Sequence, residues 1–227
     1  MEIAPMLRAL LLKEWIKLRL PGWLPLVGIA VALADAWMTM RAIRNNHGAV
    51  PLWSMLIYKQ DIFFGMLVYI LPLSGAWLAA VQYWRECSGR RLRLLFHLPV
   101  HHRVALFAPA AVGLAALAAL TVVELGGFAL LLASFDLPAE LAGAMLRTLL
   151  PSALGGAVAY LAVAAVLAEQ FTPRRLGMGM AGLIYVTLLT RTFGYGGMDA
   201  SLWLYAAACL PWLLPVEAAA LRVKEGA

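Results

Sequence analysis

The chain has 227 residues, of which 63% are apolar and only 13% charged, with a formal charge of +6 and a mean hydropathy of +0.83. A soluble domain is about half apolar and a quarter charged, so this balance excludes an ordinary water-soluble enzyme and predicts an integral membrane protein. Long unbroken apolar runs exclude an outer-membrane barrel, whose strands alternate over about ten residues, and a modest positive charge fits loops beside anionic lipid rather than nucleic-acid binding.

Residues 5–20 (PMLRALLLKEWIKLRL) predict a helix lying on the membrane surface. Leu7, Leu11, Trp15 and Leu18 form one stripe, and Lys13, Glu14 and Lys17 face away from it. Arg8 and Arg19 border the stripe, where they can snorkel to headgroups. Pro21-Gly22 then breaks the segment where the chain must turn into the bilayer. The charge carried through this region and the lack of a short apolar core with a small-residue site read as no cleavable leader.

Residues 23–40 form the first predicted span and contain Asp35. Residues 41–61 read as a polar loop, and 62–81 as the second span, with Gly65, Pro72 and Gly75 inside it. The most polar stretch follows, residues 83–103 (YWRECSGRRLRLLFHLPVHHR). Ser88 can cap a short helix, because its side chain accepts the free N–H groups of a first turn. Pro99 ends that helix at about Leu98, since the residue before proline is pushed out of the α region. Leu92, Leu95 and Phe96 stand at i, i+3 and i+4 and share a face, rimmed by Arg90, Arg91 and Arg93. His97 and His101 are also four apart, but Pro99 lies between them, so no metal site is read there.

Residues 104–135 are apolar except for Glu124. This run predicts a third span over 104–123, a break or bend at Gly126-Gly127 and a short apolar segment beyond, near the far surface. A turn at 136–140 leads to the fourth span, 141–168, and the basic turn 169–175 (EQFTPRR) to the fifth, 176–190, where Gly177, Gly179 and Gly182 permit close helix contact. A Gly-rich link over 191–200 precedes the sixth span, 201–220, and the tail carries Arg222 and Lys224. The expected fold is all-α, a single domain of six transmembrane helices with an N-terminal interfacial helix. Most of the 18 lysines and arginines fall in the N-terminal segment, the 84–103 loop, the 169–175 turn and the tail. The positive-inside rule therefore places both termini in the cytoplasm.

Asp35 and Glu124 each have two readings. Either they line a pathway, or they sit near the outer face, hydrated or paired: Asp35 with Arg41 or Arg44, Glu124 with Arg147 or Arg191. Cys87 and Cys209 lie far apart and predict no disulfide framework. No GxxxxGK phosphate loop, HExxH helix or GxSxG elbow occurs, so neither ATP hydrolysis nor a familiar hydrolase site is read in this chain.

The order of elements, with Glu86, Gly89, Leu94, Leu95, Leu98, Pro99, Val100 and Arg103 in the loop after the second span, resembles the permease subunits of ABC-2 type transporters. That family carries a small hydroxyl residue after the glycine in many members; Arg90 stands here. The resemblance implies an elbow helix, six spans and a coupling helix that docks on a separate cytoplasmic ATPase. The docking residues would be Glu86, Gly89, Arg90, Arg91, Leu92, Arg93, Leu94, Leu95, Phe96, Leu98 and Pro99. It further implies two ATPase subunits, which hold the ATP and Mg, no cofactor in this chain, and pairing with itself or with a similar permease. The expected function is export of a hydrophobic or amphipathic substrate across the cell (inner or plasma) membrane, with lipid rather than nucleic acid around the chain. The alternatives are an accessory or assembly protein that recruits some other cytoplasmic partner through its basic loop, and, ranked last, an ion-driven carrier with ionisable groups at mid-depth.

Overall fold

The computed structural model describes residues 3–87, 102–192 and 194–225, and among these the ordered elements are all helical. The coupling-helix residues Gly89 to Pro99 fall outside the described residues, as do Val100 and the side chain of Arg103.

The first helix, α1, runs Ile3–Arg19. Its buried face differs from the expected stripe. Leu18 packs inward, but Trp15 is 60% exposed, while Glu14, expected outside, is 1% exposed. Leu11 is half-buried, and the Leu7 side chain lies outside the described residues. The inward face therefore passes through positions 11, 14 and 18, and a carboxylate occupies its centre.

The second helix, α2 (Trp23–His47), continues well past the expected end at residue 40. The predicted polar loop that follows is itself helical: α3 spans Ala49–Trp53 and a π-helical turn spans Ser54–Lys59. A left-handed Gln60 (φ 49°) ends that turn. The next helix, α4 (Gly65–Cys87), also outruns its expected boundary, so Trp84, Glu86 and Cys87 belong to the span-bearing helix and not to a loop.

The break predicted at Gly126-Gly127 is absent, because α5 runs unbroken over His102–Ala133. A Cβ on Gly127 would lie 2.6 Å from the Leu33 side chain of α2, so this glycine admits a neighbouring helix. The chain then turns through Asp136 (φ 54°). The expected fourth span is two consecutive helices, α6 (Ala139–Thr148) and α7 (Leu150–Ala168). Pro151 stands in the first turn of α7, where its missing N–H is tolerated.

Helix α8 (Thr172–Leu189) starts ahead of the expected fifth span and takes Pro173, Arg174 and Arg175 into its first turn. The last segment is α9 (Leu202–Cys209), a 3-10 turn at Leu210–Trp212 that contains Pro211, and α10 (Leu213–Glu225). Among the described residues, five stretches are long and apolar enough to cross a membrane: Trp23–Asn46, Gly65–Trp84, Phe107–Ala133, Ala139–Ala168 and Asp199–Ala219. Helix α8 is not among them, since its arginines and glycines dilute its apolar residues.

The centre of the molecule is α7. It is apolar on all sides, as a helix surrounded by protein must be, and it packs against α4, α8 and α10. Its closest neighbour is α4, and the reason is a glycine pair. A Cβ on Gly75 would collide with the Gly156 carbonyl oxygen, and one on Gly156 would sit 3.0 Å from the Leu71 carbonyl oxygen. Two helix backbones touch here because neither carries a side chain. At the end of the bundle where α4 begins, Phe63, Phe64 and Phe128 cluster, and Tyr195 stacks on Phe64 with ring centroids 6.3 Å apart. Tyr195 also donates to the Asp61 carbonyl at 2.8 Å.

Candidate functional site: a polar junction at the base of the arginine-rich loop

At the opposite end, α1 lies across α4 and α5. Burial of Glu14 on its inner face demands positive charge and hydrogen-bond donors close by. The same helix supplies them. Lys17, one turn on, places Nζ 2.6 Å from Glu14 Oε1, and the same ammonium lies 2.6 Å from Glu86 Oε1 on α4. Lys13 reaches Glu86 Oε1 at 2.8 Å. Two lysines and two glutamates thus neutralise each other at the seam between α1 and the last turn of α4.

The second oxygen of Glu14 continues the network inward. Gln82 Nε2 lies 3.3 Å from Glu14 Oε2 and donates to the Pro109 carbonyl of α5 at 3.2 Å. Tyr160 of α7 donates to Gln82 Oε1 at 2.6 Å. The Tyr160 ring lies against Gly113, where any Cβ would collide with it, so this glycine is what seats the tyrosine. The network joins four helices, and Gln82, Glu14 and Tyr160 are each at most 1% exposed.

Electrostatics follow from this geometry. Burial pushes the Glu86 carboxyl up, but the hydrogen bonds and charges of Lys13 and Lys17 outweigh it and hold the group below its ordinary value. Burial pushes Lys13 down, yet Glu86 and Glu14 raise it overall. The Cys87 thiol, next in sequence, is pushed up to about 11, by burial first and then by the Glu86 charge. It is a poor nucleophile at neutral pH. The junction holds charge in balance and offers neither an activated nucleophile nor an open general base. Its capacity is mechanical: it fixes α1 to the residue from which the 88–101 segment departs.

Of the coupling-loop residues anticipated from sequence, Glu86 is the one described, and it is 8% exposed. Its carboxylate is turned toward α1, not outward toward a partner. Lys13 and Lys17, read as the outward face, are its partners, Glu14 of the same face shares Lys17 with it, and Gln82 and Tyr160 were not anticipated at all. The available signal was a lone glutamine and two tyrosines at one end of an apolar helix pair.

The remaining ionisable candidates are not brought together. Asp35 is half-buried on α2 and forms no ion pair with Arg41 or Arg44 among the described residues; Arg41 instead lies 4.9 Å over the Trp37 ring. Glu124 is fully buried on α5, and neither carboxylate oxygen has a hydrogen-bond partner among the described residues. Neither expected arginine reaches it. Arg147 pairs with Asp199 at 2.8 Å, and Arg191 stands exposed at the far end of α8. Glu169, read as part of a basic turn, accepts from the Gln170 and Phe171 N–H groups at 3.1 and 3.2 Å and pairs with Arg222 of α10, tying the start of α8 to the last helix.

Comparison with protein-family models, curated proteins and solved structures found no match for this chain.

Proposed function

We propose that this chain is the membrane subunit of an ATP-driven exporter of the ABC-2 permease type. It lies in the cell membrane with both termini and residues 84–103 on the cytoplasmic side. In this reading α8 is a sixth crossing beside the five long apolar stretches, and α1 is the elbow helix. The observation that carries the reading is the clasp of Glu86 by Lys13 and Lys17. It makes the surface helix and the base of the arginine-rich loop one mechanical unit. A partner that pushes on the loop would then move α1, α4 and, through Gln82 and Tyr160, α7 together. The partner is a cytoplasmic ATPase, in two copies, and the exporter is a dimer of this chain or a pair with a similar one. The substrate is hydrophobic or amphipathic, and Asp35 and Glu124 are the candidate pathway residues.

Co-expression with a phosphate-loop ATPase encoded beside this chain tests the proposal. A stable membrane complex that Leu95→Asp dissolves supports it. Failure of the wild-type chain to hold any such ATPase, while its basic loop captures a different cytoplasmic protein, would favour the accessory-protein reading.

A further inference from the structure

A groove of about 750 Å³ opens between α4, α7 and α8. Its chemistry changes along its length. At one end Val166 and Gly179 present only apolar surface. Toward the other end stand Leu183 and then the polar groups of Tyr69, Thr187 and Arg191. Arg191 is exposed and has no carboxylate partner among the described residues. From Gly179 to Arg191 the helical rise of 1.5 Å per residue gives about 18 Å, close to one leaflet of a ~30 Å hydrocarbon core. Small residues stand in its lining, Ala159 and Ala162 on α7 with Gly179 on α8.

We infer that this groove holds one acyl chain of an anionic phospholipid, with the headgroup phosphate on Arg191. The apolar length matches the chain, and the unpaired guanidinium at the mouth matches the phosphate, which it engages through paired N–H donors. A second copy of this chain would place an apolar helix here and leave the Arg191 guanidinium without an anion, whereas a phospholipid supplies both the apolar chain and the phosphate. The inference does not depend on the exporter reading, since a carrier or an assembly protein could bind lipid in the same way.

Native mass spectrometry of the purified chain, titrated in detergent with phosphatidylglycerol or phosphatidylcholine, tests it. One arginine beside an anionic headgroup gives roughly a fivefold preference for phosphatidylglycerol. Arg191→Gln abolishes that preference. Gly179→Phe lowers occupancy by both lipids; a Cβ there meets only Val166, at 3.6 Å, so the backbone leaves room for the branch point. Equal binding of the two lipids by the wild type, or an undiminished preference in Arg191→Gln, overturns the proposal. So does a dimer that Gly179→Phe dissolves while lipid occupancy is unchanged. If Gly179→Phe fails to fold, the Arg191→Gln comparison decides alone.

Discussion

Lys17 of α1 and Glu86 of α4 lie 69 positions apart in sequence and 2.6 Å apart in space. The same ammonium holds Glu14 at 2.6 Å, so one lysine bridges two carboxylates of which one is almost wholly buried. Lys17→Met leaves Glu14 with the Gln82 amide and with Lys13 at 3.7 Å, beyond hydrogen-bond reach, and leaves Glu86 with Lys13. Removing one partner of a buried pair exposes the other to the full desolvation penalty, so the variant loses on the order of 3 kcal/mol. The melting midpoint in detergent would fall, and the Glu14→Met, Lys17→Met double variant would recover most of the loss. A single variant as stable as wild type would show that the pair contributes little.

The junction also sets a pH window. Glu86 has a folded value below its ordinary 4.5, so its contribution is present above about pH 4.5 and fades as pH falls through the lower folded value. Lys13 has a folded value above its ordinary 10.5, so its contribution is present below about pH 10.5 and fades as pH rises through the higher folded value. The contribution of Glu86 and Lys13 is therefore flat between roughly pH 5 and 10 and drops at both flanks. A midpoint-versus-pH series on wild type and Glu86→Gln checks this. The variant should lack the acid flank that belongs to Glu86; identical acid flanks in the two proteins would refute the assignment.

The glycines separate into those that touch and those that do not. Gly75→Ala sets a methyl against the Gly156 carbonyl of the neighbouring helix, and overpacking of this kind costs roughly 1–3 kcal/mol. Gly126→Ala meets nothing within 4 Å and gains up to about 1 kcal/mol of helix propensity. Thermal melts of the two variants should move in opposite directions. A destabilised Gly126→Ala beside a neutral Gly75→Ala would place the helix crossing elsewhere.

Glu124 is fully buried with both oxygens unpartnered among the described residues. An unpaired polar group in that setting is destabilising, so Glu124→Met should raise stability by roughly 1–3 kcal/mol. Transport measured in the same variant shows what the carboxyl is kept for: gain of stability with loss of transport marks a pathway residue. Loss of stability instead would mean that the side chain has a partner in the membrane-embedded protein.

Much of this architecture was legible in the sequence because membrane helices announce themselves by composition. The runs at 23–40 and 201–220 lie inside observed helical segments, and the run at 62–81 does so from Gly65 onward. What failed was punctuation. Gly126-Gly127 does not end α5, since in a helix packed against Leu33 a glycine marks close approach and not a break. Residues 41–61 were polar enough to read as a loop, yet an extramembrane segment remains helical when its hydrogen bonds stay local. The stripe on α1 was drawn as its membrane face, and periodicity gave no sign that the side away from it packs on protein. Glu14 goes inward there because Lys17 and Gln82 await it. Contacts between distant positions, such as Tyr160 to Gln82 across 78 residues, carry no local signature.

The most direct test of the central claim is ATP hydrolysis by the reconstituted complex of this chain with its phosphate-loop ATPase, wild type against Leu95→Asp and Glu86→Ala. If the chain is the membrane half of an ATP-driven exporter, the wild-type complex hydrolyses ATP. Leu95→Asp then disrupts assembly or uncouples hydrolysis, and Glu86→Ala keeps assembly but loses coupling as the clasp with Lys13 and Lys17 opens. A complex that never forms, or both variants matching wild type in assembly and in rate, would contradict the account.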